Sequence, residues 1–381
     1  MALTNNQQAF FALVRAGLWE QDVRLSQFVE IDFNGIYRLA EEQSVVGLVA
    51  AGIKHIQDIK VPQEVTLTFL GYALHIEQRN LAMNKFICSM LDKMKDAGIV
   101  PVLIKGQGVS QCYERPHWRA SGDVDLLMNN DNYEKGKVFL DKLSETKPKE
   151  YDFNKEYQAT IGGWCLELHG SLRCGLSAAL NKGVDEIRDD ICDNHNVRYW
   201  EFDGTRIPLP EENDDIIVIF THFVKHFYKG ELGIRQICDW CRLLWTYRKT
   251  IDASLLEKRL KQMGLKAQWK GFGAFAVDYL GMPVEAMPLY SAEKKWSRKA
   301  DKICAFVLEV GNFGHNIDGS YYANKPLLIR KSISMWKRVS SLLRHATIFP
   351  WHTFRFMPHM IYTGIKATIE NGTGFRELPS A

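Results

Sequence analysis

Apolar residues recur at helical spacing over the first hundred positions and at strand-like spacing over the next hundred, and then return to helical spacing. Gln7 to Leu18 and Tyr37 to Val49 predict two amphipathic helices, with a connector from Ile56 to Pro62. From Gln63 to Gly98 the pattern is unbroken, carrying Leu67, Leu70, Leu74, Leu81, Ile87, Leu91 and Met94. Pro62 and Gly98 punctuate that helix, roughly 50 Å long, which leads directly into a strand and reads as a scaffold packed against the sheet. Short apolar runs predict strands at Val102 to Ile104, Asp123 to Met128 and Trp164 to Gly170, with one or two more at Tyr151 to Phe153 and Gln158 to Gly162. Asn130 to Leu143 predicts a helix with Asp131 as N-cap, and Val197 to Phe202 with Arg206 to Leu209 predicts a hairpin that extends the sheet. The acidic run Glu211 to Asp215 after Pro210 suits a helix N-terminus. The pattern gives an α+β protein: an N-terminal helical region (1–98), an α/β domain with a mixed sheet (99–210) and a C-terminal helical domain (211–381).

The strand at Asp123 opens with carboxylates at i and i+2. Alternation puts Asp123 and Asp125 on one face, Cα atoms about 6.7 Å apart, and sends Val124, Leu126 and Met128 into the core. The two aspartates are expected to stand out in solvent or in a cleft, where they repel one another unless a cation lies between them. A divalent metal with oxygen ligands meets that need. Just upstream, Lys105-Gly106-Gln107-Gly108 joins a strand to a helix expected over Val109 to Glu114. Glycines there let the backbone approach a ligand, helix N–H groups favour phosphate, and Lys105 adds a positive charge. Carboxylates facing a phosphate cradle are the parts of a phosphoryl- or nucleotidyl-transfer site. An Asp-x-Asp alone also fits a solvated strand end; the Lys105 turn and a separate acidic strand favour the metal.

At these residues the chain resembles the nucleotidyltransferases of the DNA polymerase β superfamily: a hydrophobic strand, a glycine-led turn and helix, then Asp-x-Asp on the next strand. More narrowly, Leu103-Ile-Lys-Gly, the Tyr113-Glu114-Arg115-Pro116 turn and Arg119-Ala-Ser-Gly-Asp-Val-Asp-Leu-Leu resemble a bacterial family of uncharacterised nucleotidyltransferases. The resemblance implies transfer of a nucleoside monophosphate from an NTP to an unidentified acceptor, with Mg²⁺ or Mn²⁺ held by Asp123 and Asp125. It also implies that the Lys105-Gly106-Gln107 turn holds the triphosphate and that a third acid comes from a separate strand. Glu167 is placed to be that acid if its strand lies beside Asp123 and Asp125. His169 shares the face of Glu167, where it would bind a phosphate or substrate oxygen, position Glu167, or bond a neighbouring loop. Arg119 either neutralises the aspartates or holds a substrate phosphate; a structural or mixed role is favoured. By the same resemblance His222, Arg235 and Asp239 border the cleft, although Arg235 and Asp239 at i, i+4 equally suit a helix-surface pair. The superfamily commonly has Gly-Ser or Gly-Gly where this chain has Gly106-Gln107. That departure keeps open a second reading, a nucleotide- or metabolite-binding module that retains the fold without turnover.

Composition adds mainly exclusions. A net charge of +3 over 381 residues gives no strong nucleic-acid signal. The opening residues lack a signal-peptide pattern and no apolar run is long enough to span a bilayer, so a cytoplasmic protein is expected. Eight scattered cysteines fit reduced core thiols, and Cys238-Asp-Trp-Cys241 lacks the second pair a zinc site needs. His222 and His226 share a helix face but lack the glutamate of a zinc-protease motif. Leu327 to Ile365 mixes Arg330, Lys331, Lys337, Arg338 and Arg344 with Trp336, Phe349, Trp351, Phe354 and Phe356. Such a mix suits peripheral membrane contact or a nucleic-acid backbone, and also a helix with a solvated basic face and an aromatic core face; the last is favoured.

Overall fold

Thr4 opens the first helix, α1 (Asn5–Trp19), with a capping box to Gln7. The computed structural model describes residues 3–151, 155–312 and 343–370. The single helix expected over Tyr37 to Val49 is two, α2 (Phe33–Glu42) and α3 (Val46–Ile53), because Ser44 between them takes a left-handed φ of 54°. The long helix α4 (Gln63–Asp96) runs from Pro62 to the turn at Gly98, whose φ is 69°. Its buried stripe, however, passes through Phe69, Ala73, Ile76, Asn80, Met83, Ile87, Leu91 and Met94, and leaves Leu67, Leu74 and Leu81 exposed. Hydropathy misplaces the stripe because Asn80 and Asn84 sit within it.

The sheet holds β1 (Val102–Ile104), β2 (Asp123–Leu127), β3 (Lys149–Tyr151), β4 (Glu156–Ile161) and β5 (Trp164–His169) in the order β1-β2-β5-β4-β3. Strands β2 and β5 are its parallel pair. The helix after β1, α5 (Gly106–Ser110), begins directly behind Lys105 and not at Val109. Asn129, not Asp131, caps α6 (Asn130–Asp141), accepting from the Asn132 amide. After β5 comes α7 (Ala178–Cys192), which periodicity did not predict and which Ser177 caps. Strands β6 (Val197–Phe202) and β7 (Thr205–Pro210) form a separate two-stranded sheet and do not extend the larger one. Pro208 and Pro210 explain this, since β7 lacks two of the donors a further ladder would use. The later helices include α8 (Glu212–Lys229), α9 (Ile234–Thr246), α10 (Ala253–Met263), α11 (Lys266–Asp278), α12 (Lys294–Val310) and the helix Pro350–Glu370.

Two apolar clusters enclose the sheet. One joins Val124, Leu126, Leu166, Leu168 and Leu103 to Met83, Ile87 and Met94 of α4. The other takes in Val102, Ile104 and Leu127 from the opposite face and unites Phe10 and Val49 near the N-terminus with Phe220, Trp240 and Trp269 of the later helices. The helical regions before and after the sheet therefore share one core, and the polar half of the sheet faces α8 and α9.

The basic aromatic segment 327–365 lies largely outside the described residues. Within its described part, Phe349 and Phe356 are buried, Trp351 and Phe354 are exposed, and Arg344 pairs with Glu309 at 2.6 Å. No described helix is long and apolar enough to cross a membrane. All eight cysteines are unpaired thiols, and Cys238 and Cys241 are core residues of α9.

Candidate active site

Strand register builds the site. Asp125 lies opposite Glu167 on the parallel pair β2–β5, Gln158 of β4 lies opposite Glu167, and Glu156 lies opposite His169. In-register residues share a face, so one side of the sheet carries a polar patch while Val124, Leu126, Leu166 and Leu168 fill the other. Asp125 was expected in solvent or in a cleft; only 4% of its surface is accessible. Burial is tolerated because its charge is met: Lys105 Nζ lies 2.8 Å and His169 Nε2 2.6 Å from Asp125 Oδ1. His169 Nε2 is also 3.7 Å from Glu167 Oε2, and Gln158 Nε2 donates to Glu167 Oε1 at 3.2 Å. Lys105 reaches Asp125 from a backbone at φ 58°, ψ −149°, a region normally left to glycine. Such a conformation costs about 1–3 kcal/mol and persists where the surroundings enforce it.

Charge is unevenly satisfied across this patch. Burial alone would raise Asp125, but Lys105 and His169 outweigh it and hold the carboxyl well below the usual range. Asp123 is raised by burial and then by the charge of Asp125, with Lys105 and Arg235 opposing. Glu167 is pushed up to about 8 by burial, with Asp125, Asp123 and Glu156 adding repulsion. Two carboxyls resist ionising because positive charge is short, the condition a divalent cation relieves. Ligand atoms of Asp125, Glu167 and His169 all lie within 4.8 Å of one another, the one such grouping among the described residues. Two carboxylates and an imidazole suit Mn²⁺ well, and their oxygens also suit Mg²⁺. Sequence singled out Asp123, Asp125 and Glu167 as metal ligands; the structure groups His169 with the latter two, and Asp123 stands outside the grouping.

A family model described as uncharacterised nucleotidyltransferase matches residues 29–281. The chain belongs to that family. The match covers α2 through α11, including both carboxylate strands and the helices facing them. Neither a curated protein nor a solved structure matches the chain significantly.

The remaining candidates in this nucleotidyltransferase-family chain hold the loop that leads to Asp123. Gln107 turns its side chain into the core, where Nε2 donates to Asn80 Oδ1 at 2.8 Å. Asn80 in turn donates to the carbonyls of His117 at 2.8 Å and Arg119 at 2.7 Å. Gln107 thus braces the loop through α4, which accounts for an amide where the superfamily has a smaller residue. Arg119 does not point at the carboxylate patch: its guanidinium bonds both oxygens of Asp239, while Nη1 donates to Ser121 Oγ at 2.7 Å. Tyr113 Oη donates to the same Asp239 at 2.7 Å. Asp239 is 5% exposed and no surface residue, and Arg235 reaches the Ala120 carbonyl at 2.8 Å. His222 and His226 stack edge to face 4.5 Å apart and lie outside the metal-ligand grouping. Burial, with Lys105 and His226 nearby, holds the His222 imidazole well below its usual range. Sequence reasoning missed Asn80; its only signal is a polar residue in an apolar helical stripe.

Proposed function

We propose that this protein is a metal-dependent nucleotidyltransferase that moves a nucleoside monophosphate from an NTP to an acceptor. The observation that carries the reading is the convergence of Asp125, Glu167 and His169 within 4.8 Å, beside Lys105, in a chain of this family. Asp125, Glu167 and His169 would hold the cation, with Asp123 next along the strand. A bound Mg²⁺ or Mn²⁺ supplies charge neutralisation to the phosphates. Lys105, with the turn through Gly106 and Gln107, lies beside these groups to receive the triphosphate. In the transfer, the acceptor oxygen bonds to the α-phosphorus, the bond to the bridging oxygen of the β-phosphate breaks, and pyrophosphate leaves. Glu167, ionised once the cation is bound, would assist removal of the acceptor's proton. Unpaired thiols throughout suit a reducing, cytoplasmic setting.

One observation favours a second reading. Lys105 Nζ already neutralises Asp125, so the same patch is self-sufficient in a module that binds nucleotide or metabolite without turnover. Incubating the protein with labelled NTPs, Mn²⁺ or Mg²⁺ and a panel of acceptors separates the two. Pyrophosphate release upholds the transferase, and nucleotide binding without release on any acceptor upholds the module.

A further inference from the structure

A small cleft opens beside the carboxylates, between the sheet and α8. Lys105 and His169 form its floor, Arg173 of the segment after β5 one wall, and Thr221, His222 and Lys225 of α8 the other. The α8 residues fall at i, i+1 and i+4, so one helix face supplies them. The cations differ in what they already hold. Lys105 is bound to Asp125, and Arg173 makes a forked pair with Asp185, with its closest bond at 2.7 Å. Lys225 makes no ion pair among the described residues, although it lies between the two histidines and Cys174 closely enough to influence all three. Glu156 is the one carboxylate in the lining. The cleft therefore presents an uncommitted ammonium and an imidazole together, while the buried Thr221 hydroxyl donates to the Ile217 carbonyl of its own helix at 2.8 Å.

The cleft's position separates it from the Asp123 end of the patch. Along the parallel pair, Asp123 lies opposite Cys165, Asp125 opposite Glu167, and Leu127 opposite His169. His169 and Asp123 thus flank the Asp125–Glu167 pair from opposite ends, and only His169 lines the cleft. Arg235 supplies positive potential at the Asp123 end. A transfer between two substrates needs both brought to the same carboxylates, and the basic cleft gives an anionic substrate an approach from the His169 end.

We propose that the cleft binds the acceptor substrate by a phosphate monoester, with Lys225 as its principal cation and His222 as a further partner. This rests on the transferase reading and adds the acceptor's chemical class. A phosphate seated on Lys225 places the rest of the acceptor toward His169 and Glu167, where the attacking hydroxyl has a carboxylate to receive its proton. A compact ammonium without its own carboxylate partner meets a dianion at little reorganisation cost.

The test measures binding by calorimetry in the full chain, with four probes: inorganic phosphate, glucose 1-phosphate, glucuronate, and a non-hydrolysable ATP analogue with Mn²⁺. Wild type is expected to bind both phosphates better than glucuronate. Lys225→Ala should weaken the two phosphates at least tenfold, Lys225→Arg should restore most of that loss, and the ATP analogue should change less than twofold. Unchanged melting temperatures show that the variants fold. Three results overturn the proposal: no phosphate binding by wild type, glucuronate preferred over the phosphates, or a Lys225→Ala loss that falls on the ATP analogue. The last outcome assigns the cleft to the triphosphate. Phosphate binding that depends on Lys225 with no nucleotide or Mn²⁺ binding at all would instead sink the transferase reading, and the acceptor assignment with it.

Discussion

Arg119 grips Asp239 with two bonds, Nε to Oδ1 and Nη2 to Oδ2, each 2.7 Å, across 120 residues of chain. Both side chains are 7% exposed. Removing one charge of such a pair strands the other where water cannot reach it. Asp239→Asn is therefore expected to lower unfolding free energy by about 3–5 kcal/mol, read from urea denaturation. The exposed pair Arg206–Glu201, each side chain 64% accessible, provides the control. Arg206→Ala should leave the midpoint where it is, and an equal loss in both variants would refute the burial argument.

Asp123 and Asp125 should behave oppositely on neutralisation. Asp125→Asn takes the partner from Lys105 and His169 and is expected to cost about 3 kcal/mol, Lys105 keeping some attraction from Asp123 and Glu167. It should also abolish Mn²⁺ binding. Asp123→Asn relieves repulsion on Asp125 and Glu167 and should hold or raise the melting temperature of the metal-free protein. Melting curves and Mn²⁺ titrations of both variants check this, and a matching loss of stability in the two would contradict it.

Metal binding should release a proton. Glu167, with burial and neighbouring carboxylates raising it to about 8, is protonated at pH 7, and a cation requires it ionised. Apparent Mn²⁺ affinity is expected to climb as pH rises from 6.5 to 8, by up to tenfold per unit, and to level off above. Calorimetry in two buffers of different ionisation enthalpy counts the protons. In Glu167→Gln the count should fall toward zero; a count that survives the substitution assigns the proton elsewhere.

His226 makes stability depend on pH in the acid range. Burial holds its imidazole down to about 4, against about 6.5 in an unfolded chain. Between those values the unfolded state binds the proton and the folded state does not, so the contribution is complete above about pH 6.5 and is lost as pH falls from there toward about 4. The contribution lost between pH 7 and 4.5 is about 2–3 kcal/mol. Urea unfolding at the two pH values should show a smaller acid loss in His226→Gln than in wild type.

What is legible in the sequence is what a short stretch of chain fixes by itself. Alternation on β2 puts Asp123 and Asp125 on one face whatever the neighbours, and places Glu167 and His169 together in the same way. Strands β1, β2, β4 and β5 and the long helix α4 emerge from periodicity, as does the start of α8 at its acidic run, whereas β3 (Lys149–Tyr151) precedes the strand expected at Tyr151 to Phe153, whose last two residues lie outside the described ones. The hairpin is legible as two strands, but its separation from the larger sheet turns on the donors missing at Pro208 and Pro210. Tertiary structure decided the rest. The parallel pairing of β2 with β5 set Asp125 across from Glu167 and brought His169 onto Asp125, because strand neighbours are chosen by the packing of two distant apolar faces. Lys105 neutralises Asp125 through a strained turn, and Arg119 finds Asp239 on a helix over a hundred residues later. A charge must be met where it is buried, and burial belongs to the assembled core, so no local period names the partner.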